Sequence, residues 1–391
     1  MAAAGSTAPD TTAASAFLTG KLHHVDIDAI EKELYRLWAE ADQEDGHVTR
    51  ACSLSFIILS GEGNDQTLAE EILTEITIKH PCRAILAIAE PSDTESLEAY
   101  VTARCHMIPG DSGKQICCEQ ITVHWKGEGT RQLVSVVAPL TIPDLPTSIW
   151  WQEDRLVIEK VKPFLPHIDR FIVDTLKMER PYSGLVGLES LLNTLAGGAA
   201  IYDLNWLRIL PFRQAIAYAF EERRGILSVE DLDLISEIEI LVTAEGGQDS
   251  TAQPIAQPLL LLGWLASRLS WQLVSASKPD GGSDAVYRLS RTRIDTRVKL
   301  VKDESVTPGQ VKDIRIGLRD RPDKVLRIWH KPGSPGLSTQ LVPRDKVEDS
   351  RCCCKEKSQT ELIDALLDNP TRDPVLERAV FAACDLIRSF R

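Results

Sequence analysis

The sequence lacks an apolar run long enough to cross a membrane. Its longest apolar stretch is Pro258–Ala266, whereas a helix needs about 20 apolar residues to span a bilayer. The opening residues MAAAGSTAPDTTAAS also lack the basic and apolar regions of a secretory signal. We therefore expect no membrane partner, a disordered tail over residues 1–20, and a cytoplasmic location.

Catalytic signatures are missing as well. The chain has no G-x-S-x-G, H-E-x-x-H, P-loop or G-x-G-x-x-G motif. The loop SGEGNDQT resembles a dinucleotide-binding loop only superficially, because Glu62 and Asp65 would repel a pyrophosphate. The sequence thus predicts no catalytic residue, no cofactor and no metal.

The cysteines number nine, and no two of them form a C-x-x-C pair. An odd count without an export signal predicts reduced thiols. Cys52, Cys82 and Cys384 lie in or beside apolar stretches, so we expect buried structural thiols there.

Three further cysteines, Cys352, Cys353 and Cys354, stand in a row among Arg and Lys residues. Nearby positive charge favours the reactive thiolate, which makes them redox candidates. Solvated cysteines without a function are the alternative. Three consecutive residues do not easily surround one metal ion.

Charge is distributed unevenly along the chain. The whole sequence has a net charge of -13, but residues 1–285 hold -19 and residues 286–391 hold +6. Such asymmetry indicates an interaction surface. A net-acidic chain is a poor general binder of nucleic acid, because phosphate contacts need clustered Lys and Arg. We expect no nucleic-acid partner.

The N-terminal half shows strands that alternate with helices. Ser53–Ser60 and Ala84–Ala89 are short apolar runs typical of buried strands, and Thr67–Lys79 between them has helical periodicity. A strand–helix–strand unit implies a parallel pair. We predict an α/β fold in which residues 21–179 form a mostly parallel sheet flanked by helices.

A second domain is predicted over residues 180–391, an α+β unit that ends in two helices. Residues 291–300 alternate strictly between polar and apolar. Val311–Leu318 and Lys324–His330 show the same alternation. This pattern predicts an antiparallel meander. One face would be basic, through Arg291, Arg293, Arg297 and Lys299.

Charged residues also stand within an apolar segment, DLNWLRILPFR (Asp203–Arg213). Asp203, Trp206, Arg208 and Arg213 are either a buried Arg–Asp pairing or a ligand or partner site that uses the arginine fork. The Trp150–Trp151 pair has the same two readings. It is either core packing or, if exposed, an interface anchor.

Several separated motifs resemble the OpcA family of glucose-6-phosphate dehydrogenase assembly proteins. They occur in the family's order and cover most of the chain between Val25 and Ser389. The motifs are HPCRAILAI (His80–Ile88), CCEQITV (Cys117–Val123), PLTIPDLPTSIWW (Pro139–Trp151), DRFIVDT (Asp169–Thr175), DLNWLRILPFR (Asp203–Arg213), GWLASRLSW (Gly263–Trp271) and RDPVLERAV (Arg372–Val380).

The resemblance implies a non-enzymatic partner that promotes the active oligomer of glucose-6-phosphate dehydrogenase and raises its activity. That role lies at the entrance of the oxidative pentose phosphate pathway, which supplies NADPH. In photosynthetic bacteria the family is also linked to thioredoxin, which becomes a second candidate partner. From the residues themselves, two alternatives stay open: a sugar-phosphate-binding protein or lactonase-like enzyme that uses Arg208 and Arg213, and a general scaffold.

Overall fold

The chain folds around two β-sheets, which we describe from a computed structural model. The structure describes residues 18–19, 23–45, 48–61, 66–107, 115–127, 131–178, 180–194, 198–222, 225–244, 256–277, 282–289, 292–302, 309–330, 336–342, 348–349, 357–368 and 371–390. The helices of this part are α1 (Ile30–Asp45), α2 (Gln66–Lys79), α3 (Arg131–Val137), α4 (Ile158–Val161), α5 (Pro181–Thr194), α6 (Leu204–Arg208), α7 (Leu210–Ala219), α8 (Ala256–Leu269), α9 (Gln359–Asp368) and α10 (Pro374–Arg388).

The first sheet has ten strands among the described residues. They are β1 (Leu18–Thr19), β2 (His23–Val25), β3 (Val48–Arg50), β4 (Leu54–Gly61), β5 (Cys82–Glu90), β6 (Ser96–Met107), β7 (Gln115–Lys126), β8 (Thr147–Gln152), β9 (Arg170–Val173) and β10 (Ala200–Asp203). The main order is β1-β6-β7-β5-β4-β8-β9-β10, with β2 beside β6 and β3 beside β7. From β7 to β10 every neighbouring pair is parallel, which confirms the predicted α/β fold.

Burial on both faces explains why β4 and β5 have apolar sequences. The side chains of β4 alternate between two apolar clusters, with Ile57 and Leu59 in one and Phe56 and Ile58 in the other. Parallel strands are usually covered by helices on both sides. The predicted strand–helix–strand unit is β4–α2–β5, and its two strands pair in parallel.

The first sheet takes its last strand from beyond residue 179, where the sequence analysis placed the domain boundary. Strand β10 pairs with β9. Helix α9, near the C-terminus, packs its Leu362 and Leu366 into the apolar cluster that holds α2. Residues from both predicted domains therefore build this half of the molecule.

In the part of the chain that the structure describes, the second sheet has eight strands. They are β11 (Ile235–Ala244), β12 (Gln272–Ser277), β13 (Gly282–Leu289), β14 (Thr292–Lys302), β15 (Val311–Leu318), β16 (Arg321–His330), β17 (Leu337–Val342) and β18 (Glu348–Asp349). Their order is β12-β13-β14-β11-β15-β16-β17-β18. The expected meander is split, because β11 lies between β14 and β15 and runs parallel to β14. Antiparallel pairing is present on either side of β11, between β13 and β14 and between β15 and β16. The insertion of β11 was not predicted, because that strand comes from an earlier part of the sequence.

Helices α8 and α10 pack closely with each other. At Gly263 of α8, a Cβ atom would lie 2.2 Å from the carbonyl oxygen of Ala379 in α10. Only glycine permits this backbone approach. The inward residues of the second sheet, such as Ile240, Ile294 and Ile314, share an apolar cluster with both helices.

The cysteines differ in part from the expectation. Cys82 and Cys384 are buried free thiols, and Cys52 is half-buried. Burial raises the pKa of Cys52 to about 12, so this thiol stays protonated. Cys105 and Cys117, which face each other on β6 and β7, form a disulfide. The prediction that the thiols are reduced was wrong for this pair, because the register of two strands brings them together.

Candidate functional site

A buried polar cluster lies at the carboxyl ends of β9 and β10. Asp174 and Thr175 follow β9, and Asp203 ends β10 and caps α6. Because the strands are parallel, their carboxyl ends meet at one edge of the sheet, where α/β proteins commonly bind ligands. The strand–turn–helix geometry therefore brings two buried carboxylates together.

Asp203 is surrounded by hydrogen-bond donors although it is 1% exposed. It accepts from the backbone N–H of Thr175 at 3.1 Å, from Thr175 Oγ1 at 2.7 Å, and from the backbone N–H of Asn205 at 3.0 Å. Burial and the neighbouring charge of Asp174 outweigh these bonds and raise the pKa of Asp203 to about 7. The carboxyl group is thus close to half-protonated at neutral pH.

The raised pKa makes the stability of the protein depend on pH. An unfolded Asp ionises near pH 3.8, so between about pH 4 and pH 7 the folded state binds more protons and loses stability as pH rises. From about pH 5 to pH 8 this loss amounts to about 2–3 kcal/mol. Asp203→Asn removes the ionising group, so its free energy of unfolding should fall less than that of the wild type over the same pH range, by about 2–3 kcal/mol. Urea unfolding at several pH values measures the difference. Equal pH dependence in the two proteins would contradict the assigned ionisation.

Arg208 pairs with Asp174 through two hydrogen bonds. Its Nη1 donates to Oδ1 at 2.6 Å, and its Nη2 donates to Oδ2 at 2.8 Å. Gln359 of α9 also donates to Asp174 Oδ2, at 3.3 Å. The structure therefore has a buried Arg–Asp pairing, but the acid is Asp174 and not Asp203. Sequence reasoning missed Asp174, although its position directly after a buried strand could have indicated it.

Arg213 lies over the ring of Trp206 and does not join Arg208. Its guanidinium carbon is 3.5 Å from the ring centroid, and its Nη2 donates to the Trp206 carbonyl oxygen at 3.2 Å. Trp206 Nε1 in turn donates to Asp373 at 2.8 Å. Burial lowers the pKa of Arg213 to about 10. The two arginines are engaged separately, so they do not form the shared fork that a phosphate site would require.

Trp150 and Trp151 are both buried, at about 1% exposure each. They point to opposite faces of β8, with Trp150 in the apolar cluster of α2 and Trp151 in the larger cluster that extends to the second sheet. Trp151 Nε1 donates to the Arg155 carbonyl oxygen at 3.1 Å. Core packing thus describes the pair, and an exposed anchor does not.

The predicted alternation along β14 is confirmed. Ile294, Thr296 and Val298 are buried, whereas Arg293 and Arg297 are exposed on the opposite face. Arg291 and the run Cys352–Cys354 lie outside the described residues.

The surface that contains Arg293 and Arg297 is called the outer face. It is defined by the charged side chains that share it in the central strands. These are Glu237, Glu239, Asp284, Arg288, Arg293, Asp295, Arg297, Lys299, Asp313, Arg315 and Arg327. Of these described residues six are basic and five are acidic, so the described part of the face is mixed in charge and not basic as predicted. The acids were missed because they come from neighbouring strands.

Charges on the outer face are paired both across strands and within one strand. Arg297 contacts Asp284 at 3.3 Å, and Arg293 contacts Asp295 within β14 at 2.8 Å. Glu239 binds both Lys299 and Arg315. Burial raises the pKa of Glu239, but the two cations lower it by more and hold it below its usual value. An open groove on this face is lined by Glu237, Asp284, Arg293 and Arg297, among others.

None of the helices in the described part of the chain is long and apolar enough to cross a membrane. Solved structures that align with this chain include a protein described as an oxidoreductase from Erwinia carotovora atroseptica. The alignment has 10% identity and a TM-score of 0.46, and it covers 86% of this chain and 99% of that chain. A 3-ketoreductase from Actinomadura kijaniata aligns with 9% identity and a TM-score of 0.49, over 86% of this chain and 98% of that chain.

Curated relatives have the provisional name OxPP cycle protein OpcA. The chain is 30% identical to the protein of Nostoc punctiforme over 65% of its own length and 53% of the relative. It is 31% identical to that of Synechocystis over 54% of its own length and 42% of the relative. The chain thus spans about half the length of the curated relatives it matches.

Two family models match consecutive parts of the sequence. Residues 73–190 match the model described as the N-terminal domain of the glucose-6-phosphate dehydrogenase subunit. Residues 199–380 match the model described as the C-terminal domain of the same protein. The matches include the polar cluster, both tryptophans and the outer face, and the chain therefore belongs to the OpcA family.

Proposed function

We propose that this chain is a non-catalytic assembly partner of glucose-6-phosphate dehydrogenase and an activator of that enzyme. The observation that supports the proposal most strongly is the pair of family models, both described as parts of a subunit of this dehydrogenase. The names of the curated relatives point to the same pathway. The proposal includes a cytoplasmic location and a contribution to NADPH supply. Thioredoxin stays a second candidate partner, and Cys352–Cys354 stay redox candidates.

The proposed mechanism is a shift of populations. A partner that binds one oligomer of the dehydrogenase more tightly than its separated subunits favours that oligomer by the difference in binding free energy. No reacting group of the partner is needed. The Arg208–Asp174 pair and the Arg213–Trp206 stack have internal partners, as expected of groups that stabilise a binding scaffold.

The outer face is the docking surface that we favour. Its cations and anions alternate along and across strands, as in Asp284–Arg297 and Lys299–Glu239–Arg315. A surface of mixed charge recognises a partner with the complementary pattern, and the match mainly speeds and orients the encounter. A uniformly acidic partner is a poorer match, because the described part of the outer face has nearly equal numbers of basic and acidic residues.

The proposal is tested by mixing purified dehydrogenase with this chain. Mass should be followed by size-exclusion light scattering, and activity should be followed as NADPH formation. We expect co-elution at a larger mass and a higher rate per dehydrogenase molecule. Separate elution with an unchanged rate would refute the assembly role. Turnover of a sugar phosphate or lactone by the chain alone would favour the enzymatic alternative.

Reversing Arg293 and Arg297 to Glu should weaken binding to the dehydrogenase about tenfold at low salt, and less when salt screens the charges. Both ion pairs are exposed, so the stability of the protein should change little. Lys32→Glu with Lys162→Glu is the matched control, because these exposed residues lie near the first sheet and the net change of charge is equal. Equal binding of the two double variants would remove the outer face from the interface.

A further inference from the structure

Three metal-ligating side chains meet where helix α9 crosses the end of helix α2. His80 directly follows α2, and Asp364 and Asp368 belong to α9. His80 Nε2 lies 2.8 Å from Asp364 Oδ1 and 4.0 Å from Asp368 Oδ1. One ligand atom from each residue lies within 4.8 Å of the other two. The contact joins residues 284 positions apart, so no local pattern in the sequence predicts it.

Packing between α2 and α9 keeps the three side chains close together. Ile72 and Ile76 of α2 share a buried apolar cluster with Leu362, Ile363 and Leu366 of α9. Asp364 and Asp368 are four residues apart, so they stand on the same side of α9. The site is therefore formed by a rigid helix pair.

The donor set suits a divalent transition metal. One imidazole nitrogen and two carboxylate oxygens are ligands that zinc, cobalt and manganese accept. Zinc binds such atoms at about 2.0–2.2 Å, so the ligands need to move by only about 1 Å to surround an ion. Asp368 is 65% exposed, which leaves a side open to solvent. Three protein ligands and an open position would result.

Three carboxylates, those of Glu361, Asp364 and Asp368, surround the ammonium of Lys79, so the local charge is negative. Two carboxylates at four-residue spacing on one helix repel each other. The ammonium of Lys79 contacts Asp364 Oδ2, the oxygen that does not face His80. Lys79 can therefore keep its hydrogen bond and orient the carboxylate while Oδ1 binds a metal, in the way that outer partners fix ligating groups. Nearby Glu361 is occupied at the start of α9, where it accepts from the Ser358 N–H at 2.8 Å.

We propose that His80, Asp364 and Asp368 bind one divalent transition-metal ion. The ion would tie α9 to α2, and so fasten a C-terminal helix to the helix layer of the first sheet. The site is independent of the proposed role in dehydrogenase assembly.

Cobalt(II) titration of the full chain tests the proposal, because cobalt absorbs visible light and shows thiolate ligation as a separate charge-transfer band. We expect one cobalt ion bound through nitrogen and oxygen ligands. His80→Gln and Asp368→Asn should each weaken this binding at least tenfold. His124→Gln and Asp385→Asn are controls of the same chemistry outside the site. Added cobalt should also raise the melting temperature of the wild type but not of His80→Gln.

Two results would overturn the proposal. One is cobalt binding of equal affinity in wild type and His80→Gln. The other is a spectrum in which all bound cobalt shows thiolate ligation, which would assign the metal to cysteines. Asp368 is mostly solvent-exposed, so Asp368→Asn keeps the test valid even if His80→Gln folds poorly.

Discussion

Replacing Gly263 by alanine should lower the free energy of unfolding by about 3 kcal/mol. The new Cβ atom would lie 2.2 Å from the carbonyl oxygen of Ala379 and 2.9 Å from the amide nitrogen of Ala383. Both are backbone atoms of α10, so the clash is relieved only if the two helices separate. Separation opens the apolar cluster that α8 and α10 share with the second sheet. Urea unfolding followed by circular dichroism measures the loss.

Gly317→Ala is the matched control for this prediction. Gly317 lies in strand β15, where the nearest atom to an added Cβ is the Glu237 Cβ at 3.5 Å, an ordinary contact. Alanine there should leave stability unchanged or raise it slightly, because it reduces the freedom of the unfolded chain. Equal effects of the two substitutions would show that α8 and α10 do not approach as closely as described.

Replacing Arg208 by methionine should destabilise the protein by about 3–5 kcal/mol. The substitution removes both hydrogen bonds to Asp174 and leaves that buried carboxylate beside Asp203. Breaking one side of a buried pair costs more than the pair contributes, since the remaining charge is uncompensated. Chemical denaturation at neutral pH provides the measurement.

Two further variants separate this effect from the general loss of an arginine. Arg293→Met removes an ion pair that is exposed on the outer face, so it should destabilise the protein far less than Arg208→Met. Adding Asp174→Asn to Arg208→Met should restore part of the stability, because the unpaired charge is then gone. An Arg208→Met protein as stable as Arg293→Met would contradict a buried pairing.

Local sequence patterns predicted most elements but not their partners. Strands β4 and β5 and helix α2 were found because apolar runs and helical spacing are local properties. The position of β11 between β14 and β15 depends on pairing between distant segments. For the same reason the alternation in β14 predicted its two faces but not the acids beside them, such as Asp284 and Glu239.

For the site residues too, local sequence patterns predicted some features, whereas contacts between distant segments were missed. The charged residues within DLNWLRILPFR left buried pairing and a partner site both open. The acid that pairs with Arg208 was missed because Asp174 comes from another strand end. The Trp150–Trp151 pair could be core or interface from sequence, because adjacent residues of a strand always point to opposite faces. Only the helices on both sides of the first sheet determine that both faces are buried.

The central claim is that this chain favours assembly of the glucose-6-phosphate dehydrogenase oligomer. This is more than binding, because a chain that bound the oligomer and its separated subunits equally well would not change their equilibrium. The decisive measurement is the dissociation constant of the dehydrogenase oligomer, obtained by dilution with mass photometry, with and without saturating amounts of the chain. If the chain prefers the oligomer, linkage requires that constant to fall by the same factor as the preference, and we predict a decrease of at least about tenfold. Binding of the chain with an unchanged dissociation constant would contradict the account.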